Sequence, residues 1–180
     1  MMKLHIGCGS VKITGFVNVD IRYLPNVDVV DNAEFLRKFS NKEISTIYAC
    51  HVLEHFSRWH VSSVLKRWYD LLLPGGELFI SVPNFEAIVN YYKKTKNLKS
   101  LIGLLYGGQD YDENFHHICW DFDSLESDLA AVGFTGIRTY DYNSNETYFA
   151  DFDDYSKCYL PHMDKENGML MSLNVKAKKS

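Results

Sequence analysis

No apolar run in this chain approaches the length needed to cross a bilayer, and Met1-Met2-Lys3 leads straight into a strand-like run. Neither a membrane helix nor a signal peptide is therefore expected. A basic stripe is missing too. With a net charge of -4, a nucleic-acid partner held through phosphate contacts is not expected. The lysines between Lys93 and Lys99 read as a solvated helix face, and those from Lys176 to Lys179 as a solubilising end. Cysteine is sparse: Cys8, Cys50, Cys119 and Cys158 stand far apart with no C-x-x-C pair. That spacing fits reduced thiols in a cytoplasmic protein better than a disulfide frame or a zinc site. Internal repeats and low-complexity linkers are absent as well. At 180 residues and 46% hydrophobic content, residues 1–180 read as one domain able to bury a core without disulfides or metal.

What the chain does have is concentrated in its first twenty residues. An apolar run enters a glycine turn, Leu4-His5-Ile6-Gly7-Cys8-Gly9-Ser10, and a second run ends in a carboxylate, Phe16-Val17-Asn18-Val19-Asp20. Glycines in such a turn let a ligand lie against the backbone. A carboxylate at the tip of the next strand can accept both hydroxyls of a ribose. The phosphate half of a dinucleotide fingerprint is missing, because the third glycine of G-x-G-x-x-G would fall at Lys12. The stretch from Ser10 to Phe16 is also too short for a helix whose amino end could hold a pyrophosphate. The expected ligand has ribose and no phosphate.

Short β-branched or apolar runs recur at Leu4–Gly7, Val17–Asp20, Val27–Val30, Thr46–Cys50, Glu77–Val82, Gly136–Tyr142 and Leu170–Ala177. They alternate with helical spacing. One helix is predicted from Val52 to Leu72 and stopped by Pro74-Gly75-Gly76; another opens at Asp123, boxed by Glu126, and ends at Gly133. The alternation implies a mostly parallel sheet with helices on both faces. The connection from Ser10 to Phe16 sits awkwardly with this, since a parallel pair normally needs a dozen or more residues. Either one tight turn feeds short strands, or the first two strands are not paired.

These pieces, in this order, resemble the class I S-adenosylmethionine (SAM)-dependent methyltransferases. The resemblance rests on the Leu4-His5-Ile6-Gly7-Cys8-Gly9 opening, Asn18-Val19-Asp20, Val30-Asp31-Asn32-Ala33, His51-Val52-Leu53-Glu54-His55, Leu73-Pro74-Gly75-Gly76-Glu77, Ala131-Val132-Gly133-Phe134 and Ser172-Leu173-Asn174-Val175. It is strongest to the short members found with bacterial polysaccharide biosynthesis. It implies a Rossmann-like, doubly wound α/β sheet of seven strands with the last strand antiparallel. The N-terminal helices and the first crossover helix would be reduced or absent. The missing cover is then expected from residues 143–168 or from a second subunit, a homodimer.

The resemblance implies a reaction as well: methyl transfer from SAM, leaving S-adenosylhomocysteine, to a hydroxyl of a glycan, nucleotide-sugar or related surface-polysaccharide precursor. Cofactor contacts are implied at His5, Gly7, Cys8 and Gly9, at Asp20 for the ribose with Ile21 beside it, at Asp31, Asn32 and Ala33 for the adenine, at Cys50 and His51 near the methionine end, and at His55, which with Glu54 opens the next helix. His5 could equally fill a strand position, and Asp31 could equally cap a helix. His116, the histidine after Phe115, matches the polysaccharide-type pattern and with His117 is a candidate base for a hydroxyl, although paired loop histidines are also common on surfaces. The segment Tyr148–Tyr155 reads either as a sugar-binding lid or as a solvated loop.

Two other functions stay open. His51-Val52-Leu53-Glu54-His55 also spells the H-x-x-E-H pattern of inverted zinc peptidases, with His51 and His55 as ligands and Glu54 as base. No metal is expected, because His51 falls at a strand junction and the methyltransferases carry the same letters without one. A non-catalytic SAM- or nucleoside-binding module would bind cofactor yet tolerate loss of both His116 and His117.

Overall fold

The computed structural model describes residues 1–142 and 153–180. The chain opens with β1 (Met2–Ile6), β2 (Val17–Asp20), β3 (Val29–Val30) and β4 (Ile44–Cys50), and continues through α1 (Val61–Leu71), β5 (Leu72–Pro83), α2 (Phe85–Thr95), α3 (Ile102–Tyr106), α4 (Phe122–Val132) and β6 (Phe134–Thr139). A hairpin of β7 (Tyr159–Leu160) and β8 (Met169–Leu170) precedes the closing β9 (Ser172–Lys179). One seven-stranded sheet runs in the order β3-β2-β1-β4-β5-β9-β6, with β9 antiparallel to both neighbours and β1 to β5 parallel. From β1 the chain winds outward to β2 and β3, then returns to β4 on the other side of β1. The strand order therefore reverses beside β1, the place where open α/β sheets bind ligands at the carboxyl ends of their strands.

The first two strands do pair, Leu4 against Val17, with no helix between them. A buried side chain does what a crossover helix would do. The Asn18 carboxamide accepts the Ile13 N–H (2.9 Å) and donates to the carbonyls of Ile13 and Phe16 (3.3 and 3.1 Å), tying the connection to its own strand. Ile13 and Phe16 then plug into a small apolar cluster with Tyr48, Phe79, Tyr140 and Tyr142.

Four details depart from the sequence pattern. The long helix is broken: Leu53–His55 form one 3-10 turn, Phe56 is extended, and α1 starts only at Val61. Between Phe56 and Val61 the apolar repeat has no core-facing member, since Trp59 is 77% exposed. The helix ends before Pro74 because the residue ahead of a proline is disfavoured in α conformation. Pro74-Gly75-Gly76 instead lies within β5, at a register shift between the Ile44–Leu72 and Thr46–Glu77 pairs. The box on α4 is closed by Asp121 and Ser124, not by Asp123 and Glu126: the Asp121 carboxylate accepts the Ser124 N–H (3.0 Å) while Ser124 Oγ accepts the Asp121 N–H (3.1 Å). The Lys176–Lys179 segment is no loose end. It belongs to β9, and buried Lys179 Nζ donates to the carbonyls of Tyr69 and Leu72 (2.7 and 2.8 Å), closing the end of α1. Lys93, Lys94, Lys96 and Lys99 are exposed, as a solvated face should be.

The main core lies on the face of the sheet covered by α1 and α4, with Trp68 and Trp120 fully buried. A smaller cluster joins α2 (Ala87, Ile88, Tyr91) and Leu101 to Cys158 and Met171, anchoring the β7–β8 hairpin beside the carboxyl edge. All four cysteines are free thiols, and among the described residues no helix is long and apolar enough to cross a membrane.

Candidate active site

The carboxyl ends of β1, β2, β3 and β4 converge on one cleft. After β1, Gly7 and Gly9 take φ of +65° and +53°, and a Cβ on Gly7 would stand 2.4 Å from Val52 Cγ2. Only glycine fits there, so the turn shows bare backbone to the cleft. After β2, the buried Asp20 carboxylate accepts the Gly9 N–H (2.8 Å) and the Arg22 N–H (2.9 Å). The Arg22 guanidinium takes the rest, with Nε 3.0 Å from Oδ1 and Nη2 3.4 Å from Oδ2. Although burial opposes the charge, these contacts hold Asp20 below the ordinary carboxylate range.

One part of the cleft, about 270 Å3, is walled by Gly7, Asp20, Ile21, Asp31, Asn32 and Ala33 together with His51, His55 and His117. Here Asp31 and Asn32 are ordered by local bonds: Asp31 accepts the N–H groups of Asn32 and Lys38 (2.8 and 2.9 Å), and Asn32 Oδ1 accepts the Glu34 N–H (2.7 Å). No α-helix follows for Asp31 to cap; residues 33–39 form turns. The neighbouring part, about 660 Å3, is walled by His5, Cys8, Gly9, Cys50 and His116 among others. Arg22 and Tyr111 border both parts, the guanidinium stacked 4.3 Å from the ring centroid. Neither residue stood out in the sequence. Arg22 could have been found from its place two residues after Asp20; Tyr111 arrives from the loop before α4, and no local signal announces it.

Every expected site residue thus lies on this cleft, with different neighbours. His5 is both a strand residue and a wall: its Nδ1 donates to Asn18 Oδ1 (3.0 Å), its ring leans on Tyr48, and burial lowers its pKa. Burial pushes the Cys8 thiol up to about 12 and the Cys50 thiol well above its usual value, so neither is a thiolate nucleophile at neutral pH. His116 lines the larger part and exposed His117 the smaller. The segment 154–160 and α3 supply the cover over the larger part through Asp154, Tyr155, Leu160 and Leu104. Within the expected lid, residues 148–152 lie outside the described residues, as does the 143–152 portion of the expected cover.

Around buried Glu54 three histidines gather. His51 has a left-handed backbone (φ +53°), its Nδ1 lies 3.0 Å from Glu54 Oε1, and its Nε2 meets Ser172 Oγ at 2.9 Å. The Ser172 hydroxyl donates to the Tyr155 carbonyl, so its oxygen must accept from His51 Nε2–H. Both ring nitrogens of His51 are committed, and it shares no helical face with His55. The zinc-ligand pair of an H-x-x-E-H helix is not formed. His116 Nδ1 donates to the Leu104 carbonyl (2.9 Å), and His55 Nδ1 to the Phe115 carbonyl (3.2 Å). Burial, partly opposed by Glu54, lowers the His116 pKa and favours the neutral ring.

No protein-family model and no curated protein matches this chain. Solved structures do. It superposes on a SAM-dependent methyltransferase from Archaeoglobus fulgidus with a TM-score of 0.61 at 16% identity, covering 99% of this chain and 86% of that one. The fold is that of the SAM-dependent methyltransferases. A second example, from Methanosarcina mazei, aligns at 0.59 and 16% identity over 99% of this chain and 92% of its own. A third, 1,6-didemethyltoxoflavin-N1-methyltransferase from Burkholderia thailandensis, solved with 1,6-didemethyltoxoflavin and S-adenosylhomocysteine, aligns at 0.58 and 15% over 99% and 71%. In this methyltransferase fold the short β1–β2 connection, held by Asn18, stands where the notional first crossover helix is reduced away.

Proposed function

We propose that this chain is a SAM-dependent methyltransferase acting on a hydroxyl of a glycan, nucleotide-sugar or related surface-polysaccharide precursor. The observation that carries the reading is Asp20: a buried carboxylate at the tip of β2, beside the bare Gly7–Gly9 turn and across the smaller cavity from Asp31, Asn32 and Ala33. The residues fit the group. Asp20 can take a ribose diol once the Arg22 guanidinium moves aside, Asp31 and Asn32 border the place for an adenine, and no helix amino end stands at the β1 turn to hold a phosphate. SAM, when bound, supplies a methyl group on a sulfonium that is already a good leaving group.

The chain's own part is to align an acceptor and take its proton. His116 is suited to the second task. Its Nδ1–H is fixed on the Leu104 carbonyl, which leaves Nε2 as the free lone pair of a neutral ring on the wall of the larger cavity. His117, on the smaller cavity, is the weaker candidate. A hydroxyl acceptor of sugar type is supported by the polar groups Ser100, Asn114, Asp154 and Tyr155, which join His116 on the otherwise largely apolar wall of the larger cavity.

The test is calorimetric binding of S-adenosylhomocysteine, with NAD as the phosphate-bearing control that should not bind. Sugar nucleotides and phosphorylated sugars are then screened for release of S-adenosylhomocysteine from SAM. His116→Ala is expected to keep cofactor affinity and lose about a hundredfold or more in methyl-transfer rate. Cofactor binding with an unchanged rate would remove His116 from the reaction, and no cofactor binding would end the methyltransferase reading.

A further inference from the structure

We propose that Glu54, His55 and His116 form a binding site for one divalent transition-metal ion of the zinc class. Each offers a ligand atom, and the three atoms lie within 4.8 Å of one another. The residues come from two separate segments, the turn after β4 and the loop before α4, so their meeting is a product of the fold.

The hydrogen-bond geometry and burial of the cluster carry the argument. A carbonyl can only accept, so His55 Nδ1 and His116 Nδ1, bound to the carbonyls of Phe115 and Leu104, both hold protons. Each ring then has its Nε2 left for a ligand. His116 Nε2 stands 4.0 Å from Glu54 Oε1, and the two rings meet edge to face with centroids 4.8 Å apart. Glu54 is fully buried, and neither of its oxygens receives a well-formed hydrogen bond. His51 Nδ1 lies 3.0 Å from Oε1, but a carboxylate has about four lone-pair sites. A buried carboxylate without a well-formed hydrogen bond, with two imidazoles beside it, is a donor set that a cation would complete.

Imidazole nitrogens steered by Nδ1–H bonds to backbone carbonyls are what metal-binding histidines need, because those bonds fix the tautomer and ring orientation. Two imidazoles and one carboxylate suit zinc or a neighbouring first-row ion, and three protein ligands leave a position open. Around a tetrahedral zinc the ligand atoms would stand about 3.4 Å apart, so from separations of up to 4.8 Å the cluster must close by up to about 1.4 Å, by side-chain rotation. His55 and His116 line the larger cavity, so the open position faces it. An ion there takes the lone pair that His116 would use as a base and offers in exchange the acidity of a metal-bound hydroxyl. The ligand set differs from H-x-x-E-H: Glu54 is a ligand and not a base, and His51 is excluded by its own bonds.

The test needs neither acceptor nor SAM, so its failure is separate from failure of the methyltransferase reading. Full-length protein purified without a histidine tag is stripped with a chelator and titrated with Co2+, then Zn2+. One equivalent of Co2+ with visible ligand-field absorption, displaced by Zn2+, is expected. Glu54→Gln, His55→Gln and His116→Gln should each weaken Co2+ binding by at least about tenfold, while His60→Gln, an exposed histidine outside the cluster, should not. If Glu54→Gln fails to fold, half-buried His55 carries the comparison. No stoichiometric Co2+ or Zn2+ binding by the wild type, or equal affinity in the variants that fold, would overturn the site.

Discussion

Arg22 holds the carboxylate of Asp20 from both sides, backbone N–H and guanidinium together, while stacking on Tyr111. With the Gly9 N–H, these bonds use the roughly four lone-pair sites of that carboxylate. A ribose can be received only if the guanidinium lets go.

Two variants separate the partners. Asp20→Ala should weaken S-adenosylhomocysteine binding by about 1.5 to 3 kcal/mol, the range for losing charge-assisted hydrogen bonds. Arg22→Ala should bind at least as tightly as the wild type, because it removes the competitor and spares the carboxylate. Calorimetry on both proteins decides: a tenfold loss in Arg22→Ala would show that the guanidinium itself grips the ligand.

Gly7→Ala is expected to be destabilised by about 1 to 3 kcal/mol from its left-handed backbone alone, and by more from the contact with Val52. Urea unfolding measures this. Adding Val52→Ala should relieve the contact but leave the backbone strain, so the double variant recovers only part of the loss. Full recovery would mean the φ of Gly7 carries no cost.

Lys179→Ala leaves the carbonyls of Tyr69 and Leu72 without their donor at the end of α1. A loss of about 1 to 3 kcal/mol in urea is expected. A change within a few tenths of a kcal/mol would return the C-terminal lysines to the role of a solubilising end.

The Asp28 carboxylate accepts the backbone and side-chain N–H groups of Asn18 and pairs with Lys12, which depresses its pKa to about 2. The folded value lies below the ordinary 3.8, so the stabilisation is fully present above the unfolded value and is lost as pH falls from near 4 through about 2. Carbon-detected NMR titration of the Asp28 carboxyl should show its midpoint near 2, and in Asn18→Ala the midpoint should move back toward 3.8. An Asp28 midpoint already near 3.8 in the wild type would contradict the bonding described.

The sequence by itself determined the alternation of strands and helices, the glycine turn and the carboxylate after β2, while the antiparallel end of the sheet came only through the family resemblance. The first three are local matters: hydrophobic period, a backbone angle open to glycine, a polar residue where an apolar run stops. Its errors were local too. Nothing in the spacing from Val52 to Leu72 told that Phe56 would be extended, because the exposure of Trp59 is settled by the rest of the fold. Tertiary structure alone decided that Asn18 would stand in for a crossover helix, that Arg22 would reach Tyr111, that Lys179 would close α1, and that His116 would arrive beside Glu54 and His55. Those are contacts between segments far apart in the chain, and a pattern read along the chain carries no information on which side chains will face each other once the sheet has closed.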